Sequence, residues 1–272
     1  MALDLVTADL ADIGIFGGSG LYQLLDDVDE VMVETPYGPP SAPLHIGVVH
    51  GRRVAFLARH GGHHEHPAHT VNYRANVWAM KHAGVKAVFA PCSAGSLQAD
   101  IPPGDFVVLD QFVDRTSARR DTFFDGPGAH HTAMAHPYDA DLSRRLVDAC
   151  RACGVTVHER GTVVVINGPR FSTAAESRWF GQMGWHVVNM TQYPEAALCN
   201  EAGLPVAGIA LVTDYDAGLE DDPSVPAVTM EQVFQFFQEN IHRVREVLFA
   251  AVGSFGSGPI RPDGSAPAPE HR

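Results

Sequence analysis

Positive charge is scarce in this chain of 272 residues, which carries 19 lysines and arginines against 32 acidic residues for a net charge of −13. A surface of that sign repels nucleic acid and anionic membranes, both of which need a basic footprint. Any anion the protein binds must therefore be held at a local site. Cysteine is sparse too: Cys92, Cys150, Cys153 and Cys199 are far too few for a disulfide scaffold. Cys150 and Cys153 form one CxxC inside a stretch of helical periodicity with no second pair, which points to buried helix-face thiols rather than zinc. Long apolar runs are missing. Stretches such as Leu204–Val212 fall well below the roughly 20 residues of a bilayer span. The start, Met1–Asp9, has no basic residue and is broken by acids, so no secretory leader is expected and the reading is cytoplasmic.

What is present is globular: 45% hydrophobic and 19% charged residues, in a chain that buries about 75% of its unfolded surface. Residues 1–11 read as a flexible leader, 12–252 as one domain, and the Gly-, Pro- and Ser-rich 253–272 as a disordered tail. Within the domain, strands are expected at 12–16, 31–34, 44–49, 53–58, 85–90, 106–109, 162–166, 186–188 and 206–212. Helices are expected at 72–83, 139–153, 174–183, 195–202 and 230–251. This alternation predicts a single α/β domain, with a mixed, mostly parallel central sheet flanked by helices. Ligands of such sheets bind where strands end.

The chemistry-bearing residues fall at those ends. Gly17-Gly18-Ser19-Gly20 permits close backbone approach to an anion, yet fits neither GxGxxG nor a P-loop. Arg59-His60 leaves a buried strand, where the pair either faces a phosphate or is satisfied by a carboxylate. His60, His63, His64, His66 and His69 crowd a short loop, but their spacing matches no zincin or deaminase signature. Solvated histidines, one or two of them touching substrate, are expected rather than a metal. Cys92-Ser93 is a small polar strand end, with a structural thiol expected over a nucleophile. Phe171 and Ser172 offer an aromatic face and a hydroxyl. Asn189-Met190-Thr191 closes another strand, and the DYD of Asp214 and Asp216 supplies two carboxylates, either an acid/base pair or a solvated turn.

In order along the chain, GGSGL, TPYGPPSAPL, ARHG, VNYRANVWA, AGSL, PGDFVVLDQFVDRT, GPRFSTAAES, NMTQYPEA and TDYDAG resemble the trimeric nucleoside phosphorylases, most closely their 5′-methylthioadenosine branch. The resemblance spans nearly all of 12–252. It implies a phosphate site from Ser19, Arg59, His60 and Thr191, with the Cys92-Ser93 turn giving backbone donors. It implies further that Met190, beside Asn189, carries the ribose. Phe171 and Ser172 flank the purine, and Asp214 with Asp216 reads its edge. Met230, Val233 and Phe234 meet the 5′ group, with His131 arriving from a neighbouring subunit. Arg59, His60 and Asp214 would be the catalytic set, with Asp214 protonating N7. The expected reaction is phosphorolysis of 5′-methylthioadenosine to adenine and 5-methylthioribose 1-phosphate, in a homotrimer that uses phosphate as co-substrate and needs no metal or organic cofactor. The alternative is a broader purine nucleoside phosphorylase. Three positions depart from the pattern: Cys92 for a threonine, Asn167 for a glutamate, and Phe234 for a smaller aliphatic residue. Residues 217–227 are a candidate lid.

Overall fold

The computed structural model describes residues 8–18, 25, 28–218, 227–256, 258 and 260. Continuous apolar runs form the middle of the sheet. β1 (Ile13–Gly17) lies parallel to both β4 (Arg52–Ala58) and β5 (Ala87–Ser96), and β5 pairs in parallel with β11 (Val206–Asp214). Strands covered on both faces lack polar alternation, which is why these read as unbroken hydrophobic segments. β2 (Asp29–Val31) and β3 (Leu44–Val49) extend one side antiparallel. On the other side come β10 (Val187–Asn189), antiparallel to β5, then β9 (Thr162–Ile166) and β7 (Gln111–Arg115), both parallel to their neighbours. β6 (Phe106–Val108) joins β11 antiparallel and carries the short β8 (Val157–His158). The sheet is mixed, with parallel pairs in the majority.

Side chains alternate between two cores, as the pleat requires. Phe16, Ala55 and Leu57 pack with α1 (Tyr73–His82) and α4 (Gln192–Glu201), whereas Ile13, Ile15, Val54 and Phe56 pack with α2 (Ala140–Ala152) and α5 (Met230–Gly253). α3 (Ala174–Gln182) covers a smaller cluster of Val164, Ile166, Phe180 and Val188. Helix starts follow capping chemistry. The Asp139 carboxylate accepts from Leu142 N at 2.9 Å, while Thr173 with Glu176 and Thr229 with Gln232 form capping boxes.

Several boundaries differ from expectation. β7 and β8 were not expected; the polar QFVDR segment is half exposed and carries no apolar run to mark it. α4 is kinked at Tyr193, whose backbone is extended (φ −115°, ψ 134°), so its regular turns begin beyond that residue, in keeping with the expected start at Glu195. Of the expected leader, 8–11 is held to the end of α1 by bonds from Ala8, Leu10 and Ala11 N to the carbonyls of His82 and Ala83. Of the expected tail, Gly253 belongs to α5, and the carbonyls of Phe255 and Gly256 accept from the buried Arg52 side chain.

One irregularity positions the site. β1 follows β5 only as far as Phe89, and β10 meets β5 only from Gly95 onward. Along 90–94, β5 is therefore paired on its β11 side but open on the other. Pro91, which has no N–H to offer a ladder, sits within this gap.

Candidate active site

A cleft opens over that gap, lined by residues from the ends of β1, β4, β5, β9, β10 and β11 and from the start of α5. Arg59 and Asp214 both line it. So do His60, Cys92, Ser93, Phe171, Asn189, Met190, Thr191, Asp216, Met230 and Val233. Ser19 lies outside the described residues, as do 219–226 of the candidate lid. Cys92-Ser93 is part of β5 rather than a turn, so its geometry is that of a strand exposed along one edge.

Arg59 is fully buried. Its Nε and Nη2 donate to Glu195 Oε2 and Oε1 at 2.6 and 2.7 Å, a two-pronged ion pair with Glu195 at 1% exposure. The carboxylate reading of the arginine thus holds, and the same side chain also lines the cleft. Nη1 makes only a long contact to Pro91 O at 3.3 Å, and a Cβ added to Gly18 would stand 3.4 Å from it. This is the guanidinium edge available to a ligand.

His60 turns an acceptor, not a donor, away from its own loop. Its Nδ1 lies 2.8 Å from His66 O, and a carbonyl can only accept, so the ring hydrogen sits on Nδ1. Burial, then the Arg59 charge, lowers its pKa to about 3 and keeps the ring neutral. Nε2 therefore presents a lone pair. The ring stacks on His64 (centroids 4.7 Å), which meets Phe234 edge-on at 5.4 Å. Phe234 is not on the cleft wall; it backs the His64 ring. Of the crowded histidines, His60 and His64 line the cleft, and His63 and His69 are exposed. Among the described residues, no three His, Cys, Asp or Glu side chains gather in a way that could hold a metal ion.

Cys92 is buried near the side chains of Asn189 and Gln192, and burial pushes its thiol up to about 11, so it is not a nucleophile at neutral pH. The adjacent Ser93 Oγ is buried without a hydrogen-bond partner. Asn189 Oδ1 accepts from Thr191 N at 3.4 Å, shaping the strand end. Behind this end, Arg119 donates to the carbonyls of Met190 (2.8 Å) and Asn167 (3.0 Å) and to that of Tyr193, tying three segments together. Asn167 Oδ1 faces Arg119 and Ser117 N and serves that scaffold.

The acidic turn lies along β5 from the arginine. Asp214 Oδ2 is 2.6 Å from Thr213 Oγ1, and Oδ1 accepts from Asp216 N at 2.7 Å. Burial raises Asp214 to about 6 despite these bonds, and raises Asp216 as well. Asp216 has a left-handed backbone (φ 51°), unusual for a non-glycine residue, and its Oδ2 is buried without a partner. Ser177 and Ser172 stand beside its carboxyl group, and their hydroxyls favour its ionised form by hydrogen bonding. The turn comes this close only because position 95 is glycine: a Cβ there would lie 2.8 Å from Asp214 Oδ1 and 3.1 Å from Asp216 Cα. Met230, 46% exposed, and Val233 border the mouth, whereas His131 is exposed and away from this cleft.

Glu195, Thr213 and Arg119 were not singled out from sequence. Glu195 sits in the quoted NMTQYPEA segment, but a carboxylate in a helical pattern reads as solvated. Only the burial of that helix face distinguishes it.

An anion-ready arginine and a raised carboxyl group on one open strand edge define a group-transfer enzyme with an anionic second substrate. The chain belongs to the Phosphorylase superfamily, which it matches over residues 12–253, and it is a phosphate-dependent nucleoside phosphorylase. It is 51% identical to the S-methyl-5′-thioadenosine phosphorylase of Mycolicibacterium smegmatis, over 88% of this chain and 90% of that one. It is 48% identical to the purine nucleoside phosphorylase of Streptomyces coelicolor, over 90% and 89%. The structure matches methylthioadenosine phosphorylase from Schistosoma mansoni in complex with adenine with a TM-score of 0.86 at 40% identity, covering 90% and 92% of the two chains.

Proposed function

We propose that the enzyme cleaves 5′-methylthioadenosine with inorganic phosphate, giving adenine and 5-methylthioribose 1-phosphate. The observation that carries this is the spacing of two unlike groups in one cleft. Arg59 reaches β5 at Pro91 and Asp214 abuts it at Gly95, so the two lie roughly 13 Å apart along the strand at about 3.3 Å per residue. Between and beside them, Ser93 Oγ and Asp216 Oδ2 are buried polar atoms without partners, which a phosphate oxygen and an exocyclic amine would satisfy.

At the arginine end, Arg59 Nη1, Ser93 and Thr191 take phosphate oxygens, joined by Ser19. His60, with its lone pair on Nε2, accepts the hydrogen of hydrogen phosphate. Asn189 and Met190 support the sugar, and Phe171 and Ser172 flank the base. As the C1′–N9 bond breaks, its electron pair goes to the purine. Phosphate stabilises the positive charge growing on the sugar and then bonds to C1′. Asp214 protonates N7, improving the leaving group. Carboxylates accept from an exocyclic amine, which favours adenine over 6-oxo purines. Met230 and Val233 meet the 5′ substituent, with Phe234 acting through His64. His131 serves a neighbouring subunit of a homotrimer, which light scattering tests. Adenine release would supply purine salvage, and the cytoplasm is the proposed compartment.

The Streptomyces relative's name supports a second reading, a broader purine nucleoside phosphorylase. Comparing kcat/KM for methylthioadenosine, adenosine and inosine at saturating phosphate decides between them. Methylthioadenosine is expected to lead, and a higher value for inosine overturns the proposal.

A further inference from the structure

Thr213 supplies a hydroxyl whose single hydrogen has two acceptors within reach. Its Oγ1 lies 2.6 Å from Asp214 Oδ2 and 3.3 Å from the carbonyl oxygen of Ala94, and the residue is 6% exposed, so water does not readily stand in for either. Only one of them can receive the hydrogen at a time. The other carboxylate oxygen, Oδ1, is held by the backbone N–H of Asp216 at 2.7 Å. With Asp214 ionised, the Thr213 hydroxyl donates to Oδ2 and both oxygens are served. With Asp214 protonated, the hydroxyl is free to turn to Ala94 O, and its own oxygen remains an acceptor for the acid.

We infer that Thr213 is a positioning residue for the proton transfer: its hydroxyl moves from Ala94 O to Asp214 Oδ2 as Asp214 gives its proton to the departing base, stabilising the carboxylate which that step creates. The inference rests on Asp214 being the proton donor. A hydrogen bond that strengthens as charge develops lowers the barrier, whereas one of constant strength does not. The step balances. Asp214 loses a proton to N7 as the C1′–N9 electron pair passes to the purine, and a phosphate oxygen bonds to C1′. The hydrogen of hydrogen phosphate makes up the proton count when Asp214 is reprotonated. Nothing is oxidised or reduced.

The surroundings leave this role to few groups. Of the ionisable side chains on neighbouring elements, β5 offers the Cys92 thiol, the β4 end and its loop offer Arg59, His60 and His64, and α3 offers Glu176 beyond Asp216. Only Asp216 acts on Asp214 by its charge, opposing ionisation. The donors that favour the ionised carboxyl are Thr213 Oγ1 and Asp216 N. Thr213 is the one whose donor is a side chain.

The test is kcat and kcat/KM for methylthioadenosine against pH, at saturating phosphate, for wild type, Thr213→Val, Thr213→Ser and Asp214→Asn. Phosphate's own titration is common to all four and cancels in the comparison. Thr213→Val should lower kcat at least about tenfold, the size of one hydrogen bond to a charged group. It should also move the Asp214 limb up by about one pH unit, with KM changed less than about twofold. Serine should restore both. A valine profile that only scales, with its limb unmoved, overturns the inference, as does a valine enzyme equal to wild type. If Asp214→Asn keeps wild-type activity, the reading of Asp214 as the acid fails instead. If it is impaired while the valine limb stays put, Thr213 alone is misassigned. Should the valine variant not fold, Thr213→Ala is read by the same criteria.

Discussion

Removing the carboxylate of Glu195 is the sharpest perturbation the structure offers. Arg59 and Glu195 are 0% and 1% exposed and joined by two bonds of 2.6 and 2.7 Å, so Glu195→Ala leaves a guanidinium in the interior with only distant carbonyls for company. Breaking a buried pair in this way costs about 3–5 kcal/mol. For a chain of this size, each kcal/mol moves the midpoint of thermal unfolding by roughly 2–4 °C, so a drop of at least about 6 °C is expected. Phosphate should offset part of the loss. The proposed anion site opens on the same guanidinium, and a ligand at a hundred times its Kd stabilises by about 2.7 kcal/mol even in an unimpaired protein. The phosphate-induced shift in Tm should therefore be larger in Glu195→Ala than in wild type. Replacing both members with apolar residues, Arg59→Met with Glu195→Leu, should recover most of the stability while leaving phosphorolysis abolished. Calorimetry at fixed protomer concentration, with and without phosphate, reads all three proteins. A Glu195→Ala loss below about 1 kcal/mol, or a phosphate shift no larger than in wild type, refutes the reasoning.

The Asp214 carboxyl is raised to about 6 by burial, above its unfolded value of about 3.9, so the folded protein holds this proton more tightly. Stability then falls as pH rises from about 4 to about 6 and levels off above. Asp214→Asn should escape that loss, becoming more stable than wild type by roughly 2–3 kcal/mol at pH 8 and not at pH 4, which paired unfolding curves check. The same variant should lose about 10²–10⁴-fold in kcat on adenine nucleosides and shift its preference toward 6-oxo purines; unchanged ratios between substrates contradict the role. Gly95→Ala pushes a methyl group to within 2.8 Å of Asp214 Oδ1, so activity should fall at least a hundredfold with a modest change in Tm; near-normal turnover contradicts the packing of the acidic turn.

Much of this was legible beforehand because burial leaves a compositional trace. β3 and β9 match their expected bounds, and β1, β4 and β11 fall within two residues of theirs, since strands covered on both faces must be apolar. Arg59 and Asp214 stood out as charges emerging from such runs. What escaped was set by partners distant in sequence. Glu195 is 136 residues from Arg59, and no local pattern shows that its helix face is buried. The His60 tautomer depends on the backbone carbonyl of His66, which only the folded loop brings to the ring. The split of the sheet along 90–94 follows from where β1 and β10 leave β5, a matter of topology that no residue announces.

In the proposed reaction a phosphate oxygen, rather than one from water, forms the new bond at C1′. Incubating the enzyme with methylthioadenosine and phosphate labelled with ¹⁸O, then weighing the sugar product by mass spectrometry, tests this directly. Arg59 and Asp214 acting in one cleft predict a sugar phosphate that retains every labelled oxygen, and no adenine release when phosphate is left out. A free sugar carrying oxygen from water, released at the same rate without phosphate, contradicts the account.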